Sequence, residues 1–385
     1  MRSPKTNPYC ATRHLLRIGF VLFLVLELSQ GVFAAWKDEW EKTLRAAEAE
    51  GQLTLYGCCY QYDPIAEVFQ KSYPKIKVNT VLGPGSQLGA RIVAERRAGK
   101  YIPDLFSAGA NTNHDVLYKA RALDPIKPAL ILPEVLDPSK WYEGEHRYID
   151  PEKRYIFAFV ANSQSGQLSY NIHLVNPNEF KSYWDLLNPK WKGRVSCLDP
   201  TTFGMGATLQ FLYYHPELGP SFIRRLFGEM QMILSRDSRQ MTDWIATGKL
   251  PLCIRCTAGG EVGKAKQQGL PIEFLNTESW KEGGSSSAAG GTLALLNRTP
   301  HPNAAKVFIN WFLSREGQIA LQKLGRPDAH NSRRIDIPKD DVDAYNRLIE
   351  GKKYFDLARP EFQDLGNIFK LVKDVLRTRE RQTGS

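Results

Sequence analysis

The chain has 385 residues, 42% of them hydrophobic and 24% charged, with a formal net charge of +10. That is enough chain for two ordinary domains with sizeable cores, and its apolar content excludes a disordered polypeptide. The positive balance suits an anionic partner or ligand, yet no Lys/Arg run interleaved with aromatics points to nucleic acid.

Residues 1–34 carry Arg2, Lys5, Arg13 and Arg17 against Glu27. Arg13 and Arg17 precede an apolar run from Ile18 to Leu28, followed by Ser29-Gln30-Gly31-Val32-Phe33-Ala34. A charged start, a short hydrophobic stretch and a small-residue exit predict an export signal over 1–34, cleaved near Ala34. The run is too short to span a bilayer comfortably, and no later stretch approaches that length. The expected location is therefore the periplasm. Cys10 leaves with the signal, and Cys58, Cys59, Cys197, Cys253 and Cys256 remain. Export allows disulfides, and an odd number leaves at least one thiol. The pairing stays open at this point. Cys253-Ile254-Arg255-Cys256 has CxxC spacing but lies in a predicted buried strand, and no His stands at zinc-ligand spacing to it.

In the mature chain, Trp40, Leu44 and Ala47 give a helix from Trp36 to Glu50, which Gly51 stops. Leu53 to Tyr56 is a strand, Pro64 to Tyr73 a helix and Ile76 to Val81 a strand. A helix from Ser86 to Arg97 follows, then the strand Asp104 to Ser107 and a helix from His114 to Arg121. Strands alternating with helices imply right-handed crossovers and a mainly parallel sheet. Ala129 to Ser139 is Pro-rich and leaves that domain. Tyr155 to Val160 and Gln167 to Asn171 read as strands bridging into a second lobe.

Trp184 to Val195 is a short helix, a turn on Asn188-Pro189 and the start of a strand ending at Leu198. Helices over Gly204 to Tyr214, Pro220 to Gly228 and Ser238 to Thr247 alternate with strands at Ile233 to Ser235 and Leu250 to Cys256. A helix from Gly260 to Gln268 and the stretch Pro271 to Leu275 end the alternation. Glu282 to Gly291 is Gly/Ser-rich and runs straight into the strand Thr292 to Leu296, so it reads as a hinge crossing rather than a free linker. Asn303 to Leu313, Arg315 to Leu324, Asp340 to Glu350 and Phe362 to Leu376 are the last predicted helices, and the basic tail from Arg377 is expected to fray.

Helix N-termini at the carboxyl ends of strands offer backbone N–H groups and positive dipole ends to an anion. Gly85-Ser86-Gln87, Thr201-Thr202-Phe203-Gly204 and Asp237-Ser238-Arg239 are such openings, each equally readable as ordinary capping. Arg255 ends a predicted buried strand and needs a partner, either a carboxylate of the protein or a ligand anion. Ser285, Ser286 and Ser287 stand at the crossing. The sequence has no GxSxG or HExxH motif and no obvious carboxylate pair, so it offers no catalytic apparatus.

The order of elements resembles the periplasmic solute-binding proteins of ABC importers, in the class that includes the ferric-ion-binding proteins. The resemblance rests on Leu53-Thr54-Leu55-Tyr56, Gly85-Ser86-Gln87-Leu88, Pro103-Asp104-Leu105-Phe106, Tyr170-Asn171 and the Trp184 to Gly193 unit. It continues through Trp244 to Pro251, Ala304 to Phe308 and Ser314 to Gln318, nearly the whole mature chain. It implies an α/β, two-lobed periplasmic-binding-protein fold of the class II type. Two mixed, mainly parallel sheets would be joined by crossing strands, with the cleft between. Residues 35–135 with 288–337 would form the first lobe, and 136–287 with 338–385 the second. The implied function is a receptor that captures a small polar, anionic solute by hinge closure. Its partner would be an inner-membrane permease with its ATPase. The receptor would be a monomer with no cofactor, no bound metal and no enzymatic activity.

The ferric subgroup grips iron through a His or Glu and two adjacent tyrosines. The tyrosine pair falls within Ala258 to Gly260, where this sequence has none, the glutamate falls near Ser86 and the histidine near Tyr60. Tyr60 alone supplies a phenolate there, and Tyr213-Tyr214 reads as core packing inside a helix. The expected ligand residues are Tyr60, Ser86, Gln87, Thr201, Thr202, Ser238, Arg255 and Ser286. Ferric ion or an iron complex is the alternative cargo, and an exported enzyme or a sensing module on the same fold are the alternative roles.

Overall fold

The computed structural model describes residues 36–164, 167–256, 261–325, 331–342 and 344–383. The expected export signal lies outside them. A helix over residues 36–50 (α1) leads into the first sheet. Its strands are β1 (Gln52–Gly57), β2 (Lys77–Leu82), β3 (Leu105–Ala108), β4 (Leu123–Asp124) and β5 (Ile156–Ala158), joined by a late arrival at Thr292–Leu296. Helices α2 (Tyr62–Ser72) and α3 (Gly85–Arg97) return the chain between β1, β2 and β3, so those strands pair in parallel. Side chains alternate across β1. Leu53 and Leu55 enter one core with Phe69 and Phe308, and Tyr56 enters another with Leu88, Ile92 and Phe106.

A short helix α4 (Pro133–Leu136) precedes β5. β5 pairs antiparallel with Thr292–Leu296, and Trp141 and Tyr148 pack into the same core as Leu53. The stretch 136–160, assigned from sequence to the second lobe, therefore builds on the first sheet. A chain that returns to a sheet from elsewhere is free to enter antiparallel, and Thr292–Leu296 does so against β3, β4 and β5 alike.

After β6 (Asn162–Ser163) comes the second sheet, made of β7 (Leu168–Asn171), β8 (Val195–Leu198), β9 (Ile233–Ser235), β10 (Leu252–Ile254) and β11 (Ile272–Phe274). Its order is β11-β7-β10-β8-β9. The β10–β8 and β8–β9 pairs are parallel, whereas β7 runs antiparallel to both neighbours. The first sheet thus has two parallel and three antiparallel pairings and the second two of each, a more mixed pattern than the alternation of elements implies. Helices α5 (Gly206–Tyr214), α6 (Gly219–Glu229), α7 (Ser238–Ala246) and α8 (Glu261–Gln267) connect this sheet. The turn on Asn188-Pro189 is set by Asn188, whose side chain accepts from the Lys190 N–H, and Trp191 then buries against Phe180.

β12 (Ser285–Ser287) carries the chain back toward β13 (Thr292–Leu296), which α9 (Pro302–Leu313) and α10 (Arg315–Leu324) follow. β12 pairs with β6 on one side and with β14 (Phe355–Asp356) on the other, a small three-stranded sheet where the two halves of the molecule join. The last helix, α11 (Gly366–Thr383), carries Ile368, Leu371 and Val372 into the second core. It continues past Arg377, where sequence reading expects fraying. The helix expected over 340–350 is reduced to a single 3-10 turn at Ala344–Asn346. Arg347 donates to the carbonyls of Val342 and Asp340, so its side chain takes acceptors that a helix would offer to backbone N–H groups.

Where the halves join, charged side chains are buried and paired. Arg333 gives both oxygens of Asp356 a hydrogen bond, at 2.9 and 2.8 Å, and Arg147 reaches the same carboxylate at 3.1 Å. Arg147 also pairs with Glu143, and Arg334 with Asp336 at 2.8 Å. Burial raises the pKa of Asp356, but Arg333 and Arg147 outweigh it and hold the group below the usual carboxylate value.

Candidate functional site

The carboxyl ends of the parallel strands from both sheets face a common cavity of about 360 Å³. From the first sheet, Cys58 and Cys59 follow β1, Gly85 and Ser86 open α3, and Gly109 to Thr112 follow β3. From the second, Gln164 and Gln167 precede β7, Gly204 and Ala207 lie around the start of α5, and Arg255 follows β10. Asn162, Ser163 and Ser287 of the crossing strands close the back, and Phe274 adds an aromatic face. The π-helix Thr112–Tyr118 stands where sequence periodicity indicates an α-helix.

Arg255 is held in place by its surroundings. Its backbone is left-handed, with φ 63°, and a disulfide between Cys253 and Cys256 brackets it. Its N–H donates to the Gln167 carbonyl at 2.7 Å, Nε to the Gly204 carbonyl at 3.0 Å, and Nη1 to Gln167 Oε1 at 2.7 Å. Gln167 in turn donates to Gln164 Oε1 at 2.9 Å, and Gln164 to Ser287 Oγ at 2.8 Å. A chain of hydrogen bonds thus ties the guanidinium to the crossing strand. Burial lowers the pKa of Arg255, and among the described residues no carboxylate lies within ion-pair distance of it.

On the opposite wall, Cys58 and Cys59 carry thiols that are not disulfide-bonded. A hydrogen bond with Cys59 lowers the pKa of the Cys58 thiol, burial opposes this, and the backbone N–H groups of Gly109 and Gly85 lower it further. The two halves also meet directly at the rim. A Cβ on Gly206, at the start of α5, would lie 2.4 Å from Asn111 Nδ2, so a larger residue there would have to push that side chain aside. Lys119 reaches across to Asp364 at 3.6 Å.

Of the residues expected from sequence, Ser86 and Arg255 line the cavity. Tyr60 turns into the first core against Tyr62 and Phe159. Gln87, one helical step beyond Ser86, points to solvent. The Thr201 and Thr202 hydroxyls are spent on Asp199, at 2.7 Å each, which leaves Gly204 and Ala207 to line the wall. Ser238 starts a helix that Asp237 caps, beside the edge strand β9 and outside the cavity lining. Ser286 faces Asp356, so strand alternation turns its neighbour Ser287 to the cavity instead. The position of the ferric tyrosine pair, Ala258 to Gly260, lies outside the described residues. Tyr213 and Tyr214 pack against the second core and against each other. Sequence reading missed Gln164 and Gln167, whose role depends on partners far along the chain. The one local signal was the pair of amides flanking the predicted strand at Gln167.

A family model described as bacterial extracellular solute-binding protein matches residues 60–319. The chain belongs to the bacterial extracellular solute-binding protein family. Solved structures of similar fold include the Trichodesmium protein IdiA (FutA) in complex with iron and citrate, 17% identical with a TM-score of 0.64. That match covers 84% of this chain and 99% of that one. Iron-bound HitA from Pseudomonas aeruginosa is 20% identical with a TM-score of 0.58, over 84% of this chain and 99% of its own. The periplasmic binding protein AfuA from Actinobacillus pleuropneumoniae, with fructose-6-phosphate bound, is 16% identical with a TM-score of 0.58, over 86% and 98%. At these identities the likeness establishes the two-lobed α/β fold, and the family establishes solute binding. No helix among the described residues is long and apolar enough to cross a membrane.

Proposed function

We propose that this solute-binding protein is the periplasmic receptor of an ABC-type importer and holds a small anionic solute in the cleft through Arg255. The observation that carries the reading is a partly buried guanidinium, held by two side-chain hydrogen bonds, that lines the cleft with no carboxylate partner among the described residues. Such a charge is costly to bury alone, and a ligand anion supplies what the protein does not. Gly85 and Ser86 add the N-terminal end of α3 from the facing wall, where N–H groups and the helix dipole favour negative charge. No Asp, Glu or His is among the described residues lining the cavity, which suits an anion. The cargoes printed for the structural relatives differ in their demands. A ferric ion wants phenolates and carboxylates, whereas a sugar phosphate wants N–H donors and a cation.

In this reading sheet membership divides the chain, with 36–160 and 288–337 in the first lobe and 161–287 and 338–383 in the second. The Asn111–Gly206 contact then marks the closed state. The exported monomer passes its solute to a permease with its ATPase, and it turns over no substrate. A thermal-shift screen of the purified protein against phosphorylated, carboxylated, neutral and cationic solutes tests the proposal, since a bound solute raises the melting temperature. Stabilisation by anions supports it. Stabilisation only by ferric ion, with a visible tyrosinate band, replaces it with the iron reading, and turnover of a solute replaces it with an enzyme.

A further inference from the structure

Two sulfurs stand on the first-sheet wall of the cleft and have no part in the anion reading. The Cys58 N–H donates to the Ser107 carbonyl at 2.9 Å, which fixes that residue at the ends of β1 and β3. Cys59 then turns at φ 73°, a conformation that residues with side chains seldom adopt. The turn lays its thiol against that of Cys58, with which it hydrogen-bonds. Two glycines make room for the pair. A Cβ on Gly290 would lie 2.4 Å from Cys59 Cβ and 2.7 Å from its Sγ, and a Cβ on Gly85 would lie 3.0 Å from Cys58 Sγ. One glycine of the Gly/Ser-rich crossing is therefore a backing for a thiol as well as part of a hinge.

Both cysteines line the cavity. Among the described residues no group of three or more His, Cys, Asp or Glu is placed to hold a metal ion. An ion that needs three or four protein ligands thus finds only two here. The start of α3 and Arg255 make the cavity electropositive, which works against a bare cation. Two touching thiols in such a cavity match a neutral thiophilic centre that brings its own third substituent.

We propose that Cys58 and Cys59 form a dithiol site for trivalent arsenic, taken as arsenous or organoarsenous acid. Two As–S bonds form and two As–O bonds break. Each departing hydroxyl leaves as water with one thiol proton, the third substituent stays on arsenic, and no oxidation state changes. The Gly85 and Gly109 N–H groups favour the Cys58 thiolate, which makes the first bond, and the adjacent Cys59 closes the chelate. The other described cysteines do not compete. Cys253 and Cys256 are joined, and Cys197 is buried with its thiol pKa pushed up by burial.

The test is a titration of the full exported chain with phenylarsonous acid, without reductant, read by intrinsic fluorescence and intact mass. One adduct per chain is expected, with Cys58 and Cys59 protected from iodoacetamide in peptide maps. Cys58→Ser and Cys59→Ser should each weaken binding about 100-fold or more, because the second bond is intramolecular. Cys59 is exposed, so Cys59→Ser keeps the test readable if Cys58→Ser does not fold. Arg255→Ala should leave arsenical binding intact, which separates this site from the anion reading. Unchanged binding in Cys59→Ser, an adduct at Cys197, or a thiol count showing Cys58 and Cys59 already joined in the exported protein would overturn the proposal.

Discussion

Arg333 in the interior and Arg255 on the wall of the cleft are both held by hydrogen bonds, but the protein treats their charges differently. At the junction of the two halves, Arg333 and Asp356 are each 1% exposed at the side chain and meet in a two-pronged pair that Arg147 joins. In the cleft, Arg255 is fixed by two carbonyl-type acceptors, Gly204 O and Gln167 Oε1, and by no acid among the described residues. Neutral acceptors orient a guanidinium without cancelling its charge. The junction is thus electrostatically complete within the chain, whereas in the proposed reading an anionic solute completes the cleft. On that reading the difference suits a receptor, with a fully paired joint beside a site that a ligand anion would neutralise.

The largest effect should come from breaking the complete side. Asp356→Ala leaves Arg333 and Arg147 buried without their shared carboxylate and should cost about 3–5 kcal/mol in denaturant unfolding. The same pairing predicts a pH dependence. The folded pKa of Asp356 is depressed, so its contribution is fully present above the unfolded value of about 3.9 and is lost as pH falls through the folded value. Acid unfolding of Asp356→Asn should lack this component. If its acid-limb slope matches the wild type, Asp356 is not the group responsible.

Removing the incomplete partner should do the opposite to stability. Arg255→Ala deletes a desolvated cation, so the melting temperature of the unliganded protein should hold or rise, while affinity for an anionic solute drops by more than about 1.5 kcal/mol. A fall in unliganded stability comparable to that of Asp356→Ala would erase the distinction between the two arginines. The smallest effect belongs to an exposed pair, Arg236 with Asp199, where the arginine side chain is 73% exposed. Arg236→Ala should cost under about 1 kcal/mol, and a larger loss in the same unfolding assay would show that surface charge matters more here than solvent screening allows.

The fold was largely legible because it is written in local signals. Gly51 after α1 and Asn188-Pro189 before β8 each mark an element boundary by backbone chemistry, whereas Ser86, expected to cap α3, lies inside it behind the N-cap Pro84. The lobe boundary was less legible. Ile156–Ala158 joins the first sheet through β13, a pairing that spans 134 to 138 positions and leaves no local trace. The site follows the same rule. Arg255 stood out as a charge in an apolar strand, but the amides of Gln164 and Gln167 that hold it draw on Ser287, on the far side of the chain's long excursion. A hydroxyl before a helix serves a turn as readily as a ligand, and here Asp199 accepts from both Thr201 and Thr202. Cys58 and Cys59 were visible as a pair, but their contact depends on Gly85 and on Gly290.

The most direct test of the central claim is the thermal-shift screen run in parallel on wild type and Arg255→Ala. The account predicts that every strongly stabilising solute is anionic and that its shift is lost in the variant. A neutral or cationic solute that stabilises both proteins equally would contradict it.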